Sequence, residues 1–252
     1  MDKLKVLDLF SGIGGFSLGL ERTGGFETIA FCEIEPYCQK VLKKHWPDIP
    51  IYDDVRKLNG RTIAADVVCG GFPCPDISIA GKQAGIEGER SGLWKEQHRI
   101  IGEVRPRYAI VENVTNLLAG EWGTWFGRVL GDLAEVGYDA EWHCIPASAV
   151  GSFQERDRIW IVAYPFSEGR SRLVTSKNFG TIGSWRMCSE KDLQSISNNP
   201  FQPGDSWPTP LLRRMDDGVP SRVDRIKGLG NAVVPQIPEL IGRAILEAEK
   251  NK

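Results

Sequence analysis

Short apolar runs alternate with helical stretches along residues 4–164, and this alternation constrains the fold more than any other feature of the sequence. Residues 4–10, 27–33, 66–71 and 108–112 are strand-like. Apolar residues recur at helical spacing through Phe16 and Leu20, over Pro36–His45 and over Leu93–Val104. A further amphipathic helix is expected at 122–136, stopped by Gly137. Strands that alternate with helices form βαβ units, and such units build a mostly parallel sheet. Two more runs, 138–145 and 158–164, have no helix between them, which predicts a hairpin at the sheet edge.

From residue 165 to about 217 the pattern dissolves into serines, glycines and prolines, with Trp185 and Trp207 among polar neighbours. Regularity returns at 235–250, where Ile237, Leu240, Ile241, Ala244, Ile245 and Ala248 form one stripe. The expected organisation is an α/β domain made from residues 1–164 plus 228–252, interrupted by a small irregular region at 165–227. The net charge is −2, so overall basicity does not advertise a polyanion partner. Residues 166–227, however, hold ten basic and seven acidic side chains, and any polyanion-facing surface is expected there. Six cysteines without a CxxC pair and three scattered histidines predict no metal site. The longest useful apolar run, 159–164, is far too short to span a membrane, and the N-terminus lacks a signal-like apolar region. Reduced thiols and a cytoplasmic location are the expectation.

Four segments could carry chemistry. Asp8-Leu9-Phe10-Ser11-Gly12-Ile13-Gly14-Gly15 places glycines where a strand hands over to a helix, and the backbone there can approach a ligand closely. Glu33 ends the next strand nineteen positions after Gly14, a usual distance for gripping ribose hydroxyls. A tight turn with a surface acid would look the same. Gly70-Gly71-Phe72-Pro73-Cys74 follows a buried strand, so Cys74 is a candidate nucleophile or an inert core thiol. Glu112, at the end of 108–112, is a candidate proton donor if its carboxyl is desolvated, and otherwise a surface acid. Gln154, Arg156 and Arg158 share one face of an extended stretch, where two guanidiniums could grip a carbonyl or phosphate, or simply form a charged edge.

Together these segments resemble the DNA (cytosine-5)-methyltransferase family. The glycine turn is similar to its first motif, Pro73-Cys74 to its nucleophile motif and Glu112-Asn113-Val114 to its ENV motif. Gln154, Arg156 and Arg158 match QxRxR, and Gly230-Asn231-Ala232-Val233-Val234-Pro235 matches GN-x-V-x-P. The five stand in family order, and the compact form resembles the small enzymes of phages and prophages. The resemblance implies a Rossmann-like S-adenosyl-L-methionine-dependent domain with a small target-recognition region at 165–227. It places Phe10, Gly12, Gly14, Glu33, Asp54 and Asn231 around the cofactor, with Glu33 on the ribose and Asp54 on the adenine amino group. It makes Cys74 the nucleophile, with Glu112, Arg156 and Arg158 completing the catalytic set. Two features depart from the family pattern: Pro75 replaces the usual glutamine, and the motif normally found before GN-x-V-x-P is hardly recognisable in 207–227.

The implied partner is double-stranded DNA, acted on by a monomer, in a bacterial cell where a restriction enzyme could accompany it. A thiolate adding to cytosine C6 makes C5 nucleophilic, and the base must leave the duplex to be reached. A tRNA cytosine-5 methyltransferase would share this chemistry and most of the motifs. A catalytically impaired DNA-binding homologue has its best support in Pro75, against which stand Cys74, Glu112 and both arginines, and a nicotinamide-dependent oxidoreductase would need neither Pro-Cys nor QxRxR.

Overall fold

In the computed structural model the residues described are 2–73, 92–152, 156–166 and 231–250. Seven strands form one sheet: β1 (Leu4–Leu9), β2 (Phe26–Cys32), β3 (Ile51–Tyr52), β4 (Val67–Gly71), β5 (Tyr108–Val114), β6 (Tyr138–Pro146) and β7 (Asp157–Pro165). Their order is β3-β2-β1-β4-β5-β7-β6. The first five run parallel, and β7 is antiparallel to both β5 and β6. The expected edge hairpin is thus β6–β7. From β1 the sheet grows to one side through β2 and β3, and to the other through β4 and β5. The order reverses between β1 and β4, and in open α/β sheets the crevice beyond the carboxyl ends at such a point is where ligands bind.

Helices cover both faces. The central strands are buried on both sides, which is why they read as continuous apolar runs. Alternation along β1 sends Leu7 and Leu9 to one face, with Ile100 and Ile101 of α3 (Leu93–Val104) and with Val129 and Leu133. It sends Leu4 and Val6 to the other, with Phe16 and Leu20 of α1 (Gly15–Arg22) and with Ile237, Ile241 and Ile245. Helix α2 (Pro36–His45) links β2 to β3.

The helix expected at 122–136 is α5 (Thr124–Glu135), and a short helix not expected from the sequence, α4 (Asn116–Ala119), precedes it. Glu121 and Trp122 between them adopt left-handed backbone, which no continuous helix admits. β3 was not legible in advance, since two residues carry no periodicity. The final helix α6 (Gln236–Lys250) packs on α1, so both ends of the described chain build one layer. Gly15 and Gly19, one turn apart on α1, allow this: a Cβ on Gly15 would lie 2.6 Å from the Val233 carbonyl, and one on Gly19 would overlap that of Pro235. Nearly all of the irregular region 165–227 lies outside the described residues.

Asp8 ties β1 to α1 and is fully buried. Its Oδ2 accepts the Ser17 hydroxyl at 2.7 Å and the Ser17 N–H at 3.3 Å, satisfying one of the free amides of the first helical turn. Burial pushes its pKa up to about 7, against the opposing pull of the Ser17 bonds. A carboxyl whose folded pKa is raised holds its proton more tightly when folded. Its stabilising contribution is therefore complete below about pH 4 and lost as the pH rises through about 7. The unfolding free energy of wild type relative to Asp8→Asn should then fall by roughly 3 kcal/mol between pH 4 and 7.5 in urea titrations. A difference that stays flat across this window contradicts the buried-acid assignment.

Candidate active site

The carboxyl edge of β1, β2 and β3 gathers most of the residues expected to hold a cofactor. Phe10 leaves β1 with φ 52°, a left-handed backbone that costs a non-glycine residue energy and turns the chain sharply at the switch point. Ser11 Oγ donates to the Asp8 carbonyl at 2.6 Å, and the Ser11 N–H donates to the Cys32 carbonyl at 3.2 Å, which clamps the turn to β2. The two turn glycines then differ. A side chain on Gly14 (φ 87°) would strike the Trp46 ring at 2.7 Å, so this glycine serves packing. Gly12 (φ 55°) faces nothing within 4 Å, leaving its backbone open to a ligand.

Glu33 is buried and serves this turn directly. Its Oε2 accepts the Gly12 N–H at 2.6 Å and its Oε1 the Glu35 N–H at 2.8 Å. Burial raises its pKa, while the two amides oppose the rise by favouring the charged form. The Glu33 N–H donates to the Tyr52 carbonyl at 2.9 Å, which brings Asp54 alongside. The Asp54 carboxylate is held by the Arg56 guanidinium at 2.9 Å, and that contact holds its pKa below the usual range. Asn231 is exposed, and its carbonyl faces Arg156.

Across the switch point, Glu112 is buried in β5 between Gly71 of β4 and Trp160 of β7. A Cβ on Gly71 would come within 2.5 Å of Glu112 Oε2, so that glycine makes the space the carboxyl occupies. Arg158 Nε meets Glu112 Oε1 at 2.9 Å. Burial raises the Glu112 pKa; Arg158 and Arg156 pull it back only in part. The result is a carboxyl that holds a proton more readily than an exposed one, with a guanidinium fixed at its side.

The two arginines have different partners. Arg156 donates to the Ala232 carbonyl at 2.6 Å and towards that of Asn231 at 3.5 Å, fastening the 231–235 stretch to the β7 end. Burial and the neighbouring Arg158 lower its pKa. Three supporting side chains were missed by sequence reasoning. Asn113 Nδ2 donates to the Phe72 carbonyl at 3.2 Å, holding the turn that leads to Pro73. Gln97, fully buried on α3, donates to the Gly70 carbonyl at 3.1 Å. Asp8 is the third. Gln97 could have been found as a polar residue on the apolar stripe of Trp94, Ile100 and Ile101. Cys74, Pro75, Gln154 and Gly230 lie outside the described residues. Among the described residues no group of side chains is suited to hold a metal ion, and no helix is long and apolar enough to cross a membrane.

The seven-strand sheet with its antiparallel seventh strand matches solved methyltransferases. A DNA modification methyltransferase encoded within an E. coli prophage superposes with a TM-score of 0.58 at 23% identity, over 70% of this chain and 50% of that one. Type II methyltransferase M2.BsuMI of Bacillus subtilis is 37% identical over 169 residues, covering 66% of this chain and 43% of its own length. This chain thus spans less than half of that relative. Type II methyltransferase M.NgoMIV of Neisseria gonorrhoeae aligns over 98% of both chains at 28% identity. The sequence model of the C-5 cytosine-specific DNA methylases matches residues 4–203, a span that includes the glycine turn, Glu112 and Arg158, and the chain belongs to that family.

Proposed function

We propose that this chain transfers a methyl group from S-adenosyl-L-methionine to C5 of a cytosine in duplex DNA. The observation that carries this reading is the buried Glu112 carboxyl, held beside Arg158 and next to the turn that ends at Pro73. Family membership and Type II methyltransferase relatives support it. The cofactor supplies an electrophilic methyl. The residues at the β1–β3 edge fit it: Gly12 offers an uncovered backbone, and Glu33 is a buried acceptor with lone pairs beyond those used by its two amides.

In this mechanism the target cytosine leaves the stack, because neither C5 nor C6 is reachable inside a duplex. The Cys74 thiolate forms a bond to C6, and the ring's electron pair shifts so that C5 becomes nucleophilic. The charge that develops at N3 is met by a proton from Glu112, and that at O2 by the Arg158 guanidinium. C5 then takes the methyl group. A base removes the C5 proton, the double bond re-forms as the Cys74 thiolate leaves, and the N3 proton returns to Glu112. Arg156 holds the 231–235 stretch against this edge, and residues 165–227 supply the contacts to flanking bases.

Radiolabelled methyl transfer tests the reading. Label from S-adenosylmethionine should enter duplex DNA and not tRNA, and Cys74→Ala should abolish incorporation while cofactor affinity stays unchanged. Incorporation into tRNA alone, or a Cys74→Ala chain that still methylates, contradicts it. Glu33 gives a separate check. Its replacement by Ala removes a charge-assisted acceptor and frees the glycine turn, so cofactor binding should weaken by roughly 1.5–3 kcal/mol in calorimetric titration. Unchanged affinity would remove Glu33 from the cofactor site.

A further inference from the structure

One aromatic side chain stands out from every packing role. Trp122 is fully exposed, at 103% of its reference area, whereas Leu117, Trp125 and Phe126 on either side of it are buried. Its presentation is built into the backbone. Glu121 (φ 46°, ψ 51°) and Trp122 (φ 58°, ψ 30°) are consecutive non-glycine residues in the left-handed region, a conformation each adopts at an energetic cost. Glycines bracket them. Gly123 has φ 89°, and a side chain on Gly120 would overlap the Trp125 ring, so the turn is wedged against the buried indole below it. Thr124 Oγ1 donates to the Glu121 carbonyl at 2.9 Å and lies 3.3 Å from Glu121 Oε2, which turns that acid back into the loop. Backbone strain held in place by surrounding packing is characteristic of functional positions.

The location gives the turn its meaning. β5 carries Glu112 and ends at Val114, and α5 starts back across the sheet at Thr124. Trp122 therefore stands on the carboxyl edge, the same edge as Glu112, Arg158 and the Phe72-Pro73 turn. Residues 115–127 contain no lysine or arginine, so this loop has no cation with which to attract phosphates. What it offers is a rigid ring face. Extrusion of a cytosine uncovers the faces of the bases it was stacked against and of its orphaned partner, and an aromatic ring stacks on any such face whatever the base.

We infer that Trp122 is a DNA-contact residue whose indole stacks on a base left uncovered at the target site. This rests on the proposed reaction at duplex DNA. The test uses the full chain and a short duplex containing one methylated site, mapped beforehand by bisulfite sequencing. Trp122→Ala should weaken duplex binding by about tenfold or more, and Trp122→Phe should restore most of the loss. Cofactor affinity and circular dichroism should match wild type, because the side chain supports nothing beneath it. The slope of log Kd against log salt concentration should be unchanged, since no phosphate contact is lost. Undiminished binding by Trp122→Ala overturns the inference, as does a loss that Trp122→Phe fails to repair. A change from dimer to monomer with unaltered DNA affinity assigns the ring to a second copy of the chain and also overturns it. Wild-type protein that neither binds nor methylates the duplex overturns the proposed reaction and this inference together.

Discussion

The geometry on the base side of the site depends on keeping one carboxyl out of water. Glu112 sits where β4, β5 and β7 meet, and each strand contributes something different. β4 supplies an absence, because Gly71 leaves the volume that the carboxyl fills. β7 supplies the counter-charge, and it can do so only because it runs antiparallel to β5. That register pairs Glu112 with Trp160 and Val114 with Arg158, so the arginine reaches back along the strand to the acid. Burial disfavours the charged carboxylate and the guanidinium favours it; burial wins. A parallel seventh strand would have needed a crossover, and would have delivered its residues in the opposite direction.

The other half of the edge rests on acids used as backbone acceptors. Asp8 fixes the start of α1 through Ser17, and Glu33 fixes Gly12 and Glu35. A turn containing Phe10, Gly12 and Gly14 at positive φ would not hold its shape from local preference, and these carboxyls supply the missing constraint. The second constraint comes from the far end of the chain. Small residues on α1 let the carbonyls of Val233 and Pro235 approach, and Arg156 fastens Ala232 to the mouth of β7. Residues 231–235 thus close the α/β unit against both the first helix and the last strand.

Much of this was legible in the residues. Apolar runs buried on both faces announce themselves, so β1, β2, β4, β5 and the β6–β7 hairpin could be located, as could α2, α3 and α6. Glu33, Glu112 and the arginine pair were visible because each ends or enters a strand at the edge where chemistry collects. Other features had no one-dimensional signal. The division of labour between Arg156 and Arg158 depends on carbonyls at 231–232, some seventy-five positions away. The supporting bonds of Asn113 and Asp8 are likewise three-dimensional facts. The left-handed backbone at Glu121 and Trp122, just before α5, was hidden because neither residue type favours positive φ; it goes with the close approach of Gly120 to Trp125 and the Thr124 bond to the Glu121 carbonyl.

The protonation of Glu112 is the point on which structure and proposed chemistry meet, and a carbon-13 titration of its side-chain carboxyl measures it. The pKa should lie above that of an ordinary glutamate and rise further in Arg158→Gln, where the opposing positive charge is gone. A Glu112 that titrates at or below the ordinary value, or that does not respond to loss of Arg158, would contradict a carboxyl kept protonated by burial.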